Sequence, residues 1–335
     1  MTRRPTGGSA EMVDRLSPLR RAPGIVRLHG HRAARGVLPE NTLLAFRNTF
    51  DIGVQVVELD ILSTRDGIPV ITHNPRLMSA STRDAEGNWL SGEGPRIHDL
   101  TYEELSRYDV GGLRAGTAYA ARYPDQAFLN GLRIPRFEDL ARILAEPAYR
   151  KIWLNIEIKS HPDHPEFTPP IPDYVASVLS VLRAHGLEDR AILQSFDWRV
   201  LEEVARKAPD LPRSYLSYLP RPNPPMDANV FDGSPWIGSA PWARFDGSLP
   251  RIISQMGGTL WCPYHEDLDP EAVALAHDLG LIVNTWTVNS PEDILRAIDA
   301  GVDGIITDYP SRAQRLLLDR GLSWREDIRP IRATG

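Results

Sequence analysis

Two short apolar runs of this chain carry acids where a packed interior would hold hydrocarbon. VQVVELDIL, residues 54–62, places Glu58 and Asp60 two apart, and KIWLNIEIK, residues 151–159, places Asn155, Glu157 and Lys159 in the same rhythm. Side chains two apart on a β-strand share a face. Glu58 and Asp60 therefore point together, away from Val57, Leu59 and Ile61, while Asn155, Glu157 and Lys159 point away from Ile156 and Ile158. Three carboxylates directed into a restricted space suffer desolvation and mutual repulsion, on the order of several kcal/mol per unpaired ion. Positive charge must sit among them. Lys159, one of only three lysines in the chain, supplies part of it. One divalent cation, Ca²⁺ or Mg²⁺, suits the all-oxygen set. The competing expectation is that the acids are neutralised by arginines in structural salt bridges.

Two further runs end in imidazoles. His31 and Arg32 follow IVRLHG, residues 25–30, and His73 closes IPVITH, residues 68–73. A histidine at a strand end is by itself usually structural. Two of them at the rim that carries the acids make an acid and base pair for chemistry near neutral pH. Arg32 adds a fork of donors that matches phosphate oxygens. Cation, arginine and histidines together point to phosphoryl transfer.

The elements that position these groups alternate. Strand candidates fall at 25–30, 54–62, 68–73, 151–159, 191–196, 213–219, 259–263, 281–288 and 303–308, with helical stretches at 42–53, 137–146, 172–186, 197–208, 270–280, 290–301 and 311–321. Strand–helix alternation implies parallel strands. The connection STRDG, residues 63–67, is too short for a parallel crossover, so 68–73 folds back as an antiparallel arm. Removing it leaves eight units, the count of a (β/α)₈ barrel. Residues 76–133, rich in glycine and polar residues, read as an insertion after the second strand, and the Pro-, Gly- and Trp-dense segment 220–250 reads as a long loop. One domain spans 24–320, with an N-terminal extension, 1–23, expected to be flexible and a C-terminal tail, 321–335.

Bulk properties restrict the rest. A net charge of −6 over 335 residues argues against nucleic acid and anionic membranes as partners. The single cysteine, Cys262, excludes an internal disulfide and a thiolate-rich metal site. No signal-peptide pattern and no integral membrane segment are present, which implies a cytoplasmic, soluble protein. Nothing in the sequence sets an oligomeric state.

HR-x-x-R-G-x-x-PENT, Gly53, VELD, TRDG-x-P-V-x-x-H, IEIK, QSF, TWTVN and DGIITDYP, in that order, resemble the glycerophosphodiester phosphodiesterases of the phosphatidylinositol-phospholipase-C-like superfamily over roughly residues 25–315. The resemblance implies a TIM-type barrel with an insertion after the second strand. It implies His31 and His73 as acid and base, Glu58, Asp60 and Glu157 as metal ligands, and Arg32 and Lys159 as phosphate contacts. Glu40 becomes a supporting residue, and Trp286, which shares a face with Asn284, a wall against the glycerol or alcohol. Two positions depart from the family pattern: Ala33 replaces the usual Gly, and Asn74 the usual Asp after the second histidine. The implied reaction is hydrolysis of a small-molecule glycerophosphodiester to sn-glycerol 3-phosphate and an alcohol. Rival expectations are a lysophospholipase D or sphingomyelinase-D-like enzyme with a lipid substrate, and a non-catalytic glycerophosphate-binding protein. HPDHPE, residues 161–166, could add ligands, Trp236 and Trp242 could form a lid, and His265, Glu266 and Asp267 could rim the site.

Overall fold

The computed structural model describes residues 15–222 and 226–330. Its strands are β1 (Arg27–Gly30), β2 (Val56–Ser63), β3 (Pro69–Ile71), β4 (Arg76–Met78), β5 (Glu93–Arg96), β6 (Trp153–Ile158), β7 (Ala191–Ser195), β8 (Arg213–Ser217), β9 (Leu260–Pro263), β10 (Ile282–Thr285) and β11 (Gly304–Thr307). The strands β1, β2 and β6 to β11 run parallel, and pairing of His29 with Val56 between β1 and β2 closes them into a barrel. The arm after STRDG is β3, antiparallel to β2 with Ile61 opposite Ile71.

Helices cover the barrel where sequence signals place them. Thr42, Asp197, Asp269 and Ser290 cap helix starts through their side-chain oxygens. Of the helices that link barrel strands, the sequence signals miss one, Leu249–Gln255. It lies at the end of the Pro-rich segment and carries the crossover from β8 to β9 that parallel strands require. Its seven residues are too few for a clear period. The insertion holds the β4–β5 hairpin and two short helices, Tyr102–Leu105 and Ala118–Arg122. Leu77, Ile97, Leu105 and Ile134 pack there against Leu62 and Val70. Arg83 lies between the rings of Trp89 and Phe128, 5.4 and 4.8 Å from their centres, and pairs with Asp109 at 3.1 Å.

Following the strand register around the barrel separates its interior into layers. At the base, Val56, Ile192, Leu260 and Ile282 form an apolar floor against Leu16 and Leu19. Both leucines are 1% exposed. The expectation of flexibility for 1–23 is thus corrected for residues 15–23, since the open barrel end would leave these aliphatics in water; residues 1–14 lie outside the described residues. Above the floor comes a layer from alternate strands, His29, Asn155, Ser214 and Asn284, where branched aliphatics would be usual. Each buried polar atom left unpaired there costs about 1–3 kcal/mol. Higher still come Glu58 with Gln194, then His31, Glu157 and Trp286, then Asp60 and Asp308. Among the described residues no helix is long and apolar enough to cross a membrane.

The N-terminal plug yields a test. Leu19→Ala should lower the unfolding free energy by about 2–5 kcal/mol, read by urea denaturation. A loss below about 0.5 kcal/mol, the size of an ordinary surface change, would remove residues 15–23 from the cooperative core.

Candidate active site

The turn after β1 shapes the site. Arg32 and Ala33 adopt left-handed backbone, φ 48° and 71°. The turn folds back so closely that a Cβ on Gly30 would lie 2.1 Å from the Ala33 carbonyl oxygen. The positive φ of Ala33 is a conformation that glycine adopts without penalty. A left-handed alanine costs about 1–2 kcal/mol, and burying its methyl, which is 0% exposed here, returns about 0.8 kcal/mol; the exchange is tolerated. The strained turn aims the Arg32 backbone N–H at Glu58 Oε2, 3.0 Å away.

His31 stands on Asp308, its Nδ1–H donating to Oδ1 at 2.7 Å. That bond assigns the tautomer and leaves Nε2 toward the cleft, 3.8 Å from Glu58 Oε2. Arg35 grips the same carboxylate with two bonds of 2.9 and 3.0 Å, and Asn289 adds a third donor at 2.7 Å. Burial works against the Asp308 charge, yet Arg35 and His31 hold its carboxyl well below the usual range. Burial pulls His31 down to about 4, with Arg35 and Arg32 adding to the shift and Asp308 opposing it. His73 follows β3 and donates from Nδ1 to Asn74 Oδ1 at 2.9 Å, while Asn74 Nδ2 donates to Met78 Sδ. Asparagine in place of aspartate therefore keeps the ring oriented but withholds a negative charge. Burial, Arg32 and Lys159 hold His73 well below its ordinary value.

The acids converge as the spacing predicts. Ligand-competent oxygens of Glu58, Asp60 and Glu157, all buried, lie within 4.8 Å of one another. Salt bridges neutralise part of the group: Lys159 Nζ is 2.8 Å from Glu157 and 3.5 Å from Asp60, and Arg32 Nε is 3.2 Å from Asp60, out of line for a hydrogen bond. Arg32 Nη1 donates to Glu40 Oε1 at 2.8 Å, and Tyr119 from the insertion donates to the other Glu40 oxygen. Asn41 donates to Asp60 Oδ2 at 2.9 Å. Glu58 receives only the Arg32 N–H and Gln194 Nε2, the latter at 3.2 Å. The five carboxyl groups of Glu40, Glu58, Asp60, Glu157 and Asp308 thus outnumber by two the three cations they face, Arg32, Arg35 and Lys159. Burial, then Asp60 and Glu157, push the Glu58 carboxyl well up. Burial pushes Glu157 up to about 7, Asp60 adding and Lys159 opposing. Asp60 Oδ1, the oxygen 3.5 Å from Lys159 Nζ, is buried without a hydrogen-bond partner. A divalent cation fits the surplus of carboxyl groups, the donor type and the orphaned oxygen.

These groups open on one cleft of about 610 Å³. Its opposite wall is aromatic. Trp286 donates from Nε1 to the Cys262 carbonyl at 3.0 Å and meets Phe196 edge-on and Tyr264 at centroid distances of 5.0 and 5.1 Å. His31, Arg32, Glu58, His73, Glu157, Lys159 and Trp286 all line this space, and Glu40 and Asp60 stand behind Arg32. His161 and Trp236 reach it in mutual contact, 4.8 Å apart. Trp242 packs under its own loop instead. His164 bonds Glu166, and no second metal-competent acid or histidine group occurs among the described residues. Glu266 and Asp267 hold Arg221 and not the cleft. Sequence reasoning overlooked Arg35, Asp308, Asn41, Gln194 and Tyr119. Arg35, Asn41, Gln194 and Asp308 sit within the motifs given above, and an acid ending the last strand was a usable signal. Tyr119 had none.

The sequence model of the glycerophosphoryl diester phosphodiesterase family matches residues 31–312. A glycerophosphodiester phosphodiesterase of Caldanaerobacter subterraneus is 28% identical over 291 residues, 87% of this chain and 97% of the relative. The Bacillus subtilis protein YqiK is 31% identical over 88% of this chain and 99% of its own. A crystal structure from Silicibacter pomeroyi, assigned to the same family, is 47% identical and superposes with a TM-score of 0.83, covering 92% of this chain and 99% of that one. An Oleispira antarctica phosphodiesterase, 22% identical with a TM-score of 0.64 over 88% and 97% of the two chains, shares the fold. With the match running through both histidines, all three acids and Asp308, this chain belongs to the glycerophosphoryl diester phosphodiesterase family and is a phosphodiester hydrolase.

Proposed function

We propose that the enzyme hydrolyses glycerophosphodiesters to sn-glycerol 3-phosphate and an alcohol, with a divalent cation on Glu58, Asp60 and Glu157 and with His31 and His73 moving the protons. The observation that carries this reading is the meeting, in one cleft, of two imidazoles with a buried acid triad whose site holds more carboxyl groups than cations. The Oleispira antarctica relative was solved with sn-glycerol 3-phosphate as its product, the compound assigned here.

Each histidine has Nδ1 engaged, His31 on Asp308 and His73 on Asn74, which fixes the rings and directs Nε2 to the reacting groups. One imidazole takes a proton from the attacking oxygen and the other gives one to the leaving alcohol. Arg32, oriented by Glu40, offers guanidinium charge to the phosphoryl oxygens. Lys159 balances the acids and adds positive charge at the same rim. When bound, the cation supplies charge stabilisation to those oxygens. The wall of Phe196, Tyr264 and Trp286 excludes water along one side and packs against the carbon skeleton of the substrate. It also favours a second reading, a lysophospholipid substrate, because its apolar surface would hold more than glycerol.

His31→Ala and His73→Ala should each lower turnover by roughly 10² to 10⁴. The variant that lacks the general acid should recover on a nitrophenyl ester, whose leaving group needs no proton, and the variant that lacks the base should not. Full activity in both variants would overturn the assignment. A panel of glycerophosphodiesters and lysophospholipids decides between the two substrate classes by kcat/KM. Tight binding of sn-glycerol 3-phosphate without turnover, in Mg²⁺ and in Ca²⁺, would instead identify a non-catalytic binder.

Chelation should abolish activity and re-addition of Mg²⁺ or Ca²⁺ restore it. Because the ion relieves repulsion among buried acids, it should also raise Tm, by the equivalent of about 2.7 kcal/mol at a concentration 100 times Kd. Glu58→Gln should weaken that thermal shift. Equal Tm and activity with and without chelator would sink the metal reading.

A further inference from the structure

The layer directly beneath Glu58 is polar, sealed and unpaired. His29, Asn155, Ser214 and Asn284 are each 0% exposed. Six of their atoms have no hydrogen-bond partner: both ring nitrogens of His29, Oδ1 of Asn155, Oγ of Ser214, and Oδ1 and Nδ2 of Asn284. Strand register sets the four residues at one level of the barrel interior. A Cβ on Gly304, the residue that β11 contributes beside them, would lie 2.4 Å from Asn284 Oδ1 and 3.0 Å from His29 Nε2, so both side chains reach into the space that a residue larger than glycine would take. Leu16, Leu19 and the apolar floor close it below, and Leu216, Cys262 and Ile306 pack above.

The donor and acceptor types identify the occupant. Asn155 Oδ1 can only accept, and Asn284 Nδ2 can only donate. Burial, with Arg27 adding, pulls His29 down to about 3, so its neutral ring offers one donor and one acceptor. An anion would face the oxygens, and a cation would face the N–H groups. Water satisfies both kinds at once, and buried waters serve such groups with about three bonds each.

We propose that this layer is an internal hydration site, and that its solvent fixes an amide chain ending on Glu58. Asn155 Nδ2 donates to Gln194 Oε1 at 3.0 Å, and Gln194 Nε2 donates to Glu58 Oε1 at 3.2 Å. Solvent donating to Asn155 Oδ1 holds that amide in this sense. Reversing it would turn Gln194 and set an oxygen against the Glu58 carboxylate. Asn155 and Gln194 are positioning residues for Glu58. The hydration site stands on its own, whereas the effect on metal binding rests on the proposed cation.

The test begins with crystals of the unaltered protein, diffracting well enough to order solvent and soaked separately in rubidium and bromide. One or more waters should appear 2.6–3.2 Å from the unpaired atoms of at least three of the four residues. An anomalous peak from either ion, or direct pairing of the side chains with no solvent between them, overturns the hydration site. The second arm measures Mn²⁺ affinity by electron paramagnetic resonance. Asn155→Leu should weaken it by roughly tenfold, the lower end of what partners behind a metal ligand cost. Gln194→Leu provides the same reading where Asn155→Leu does not fold. Native affinity in a folded variant overturns the amide chain. A native protein that binds no Mn²⁺ would refute the metal reading while leaving the crystallographic result decisive for the solvent.

Discussion

Buried negative charge is the constraint on which the upper half of this barrel depends. Glu58, Asp60 and Glu157 share a volume in which their oxygens stand within 4.8 Å, and the chain gathers compensation from every side. Lys159 comes from just past the end of the strand that carries Glu157, Arg32 from the turn after β1, and Asn41 from the loop behind it. Even the strain in that turn serves this end, because left-handed backbone at Arg32 directs its N–H to Glu58. None of these groups brings Glu58 a cationic side chain. Removing one partner from such an arrangement costs more than forming it gained, since a buried charge would be left alone.

The two histidines are supported differently, and the difference is electrostatic. His31 rests on a carboxylate that is itself clamped by Arg35 and Asn289. His73 rests on a neutral amide braced by Met78 of the β4–β5 hairpin. Both rings are held below their ordinary value by burial, but at His31 the Asp308 carboxylate opposes the shift, whereas at His73 Arg32 and Lys159 add to it. The insertion contributes to both halves of this arrangement, through Met78 beside His73 and through Tyr119 on Glu40.

Barrel layering explains how an apolar fold accommodates so much polarity. The floor is hydrocarbon and is completed from outside by Leu16 and Leu19. Polarity begins one layer up and increases toward the mouth, where Glu58 receives the Gln194 amide and the Arg32 backbone N–H. Helices on the outside pack against ordinary aliphatics such as Leu59, Ile156 and Ile158. The alternation of a β-strand lets one sequence serve both surfaces.

Much of this was legible in the sequence. Period-two placement identified Glu58, Asp60 and Glu157 as neighbours, because strand geometry fixes the face a side chain takes. The length of STRDG dictated the antiparallel arm, because chain reach forbids a crossover. His31, His73 and Arg32 were marked by type and by their position at strand ends. The partners that orient them were not. Asp308 is 277 residues from His31, and Tyr119 lies in a segment with no periodicity. The plug at the base and the relation of His29 to Asn155, Ser214 and Asn284 likewise appeared only on closure of the barrel. Local sequence determines which way a residue points; which distant residues it meets is decided by strand stagger and loop packing, which arise from the whole chain together.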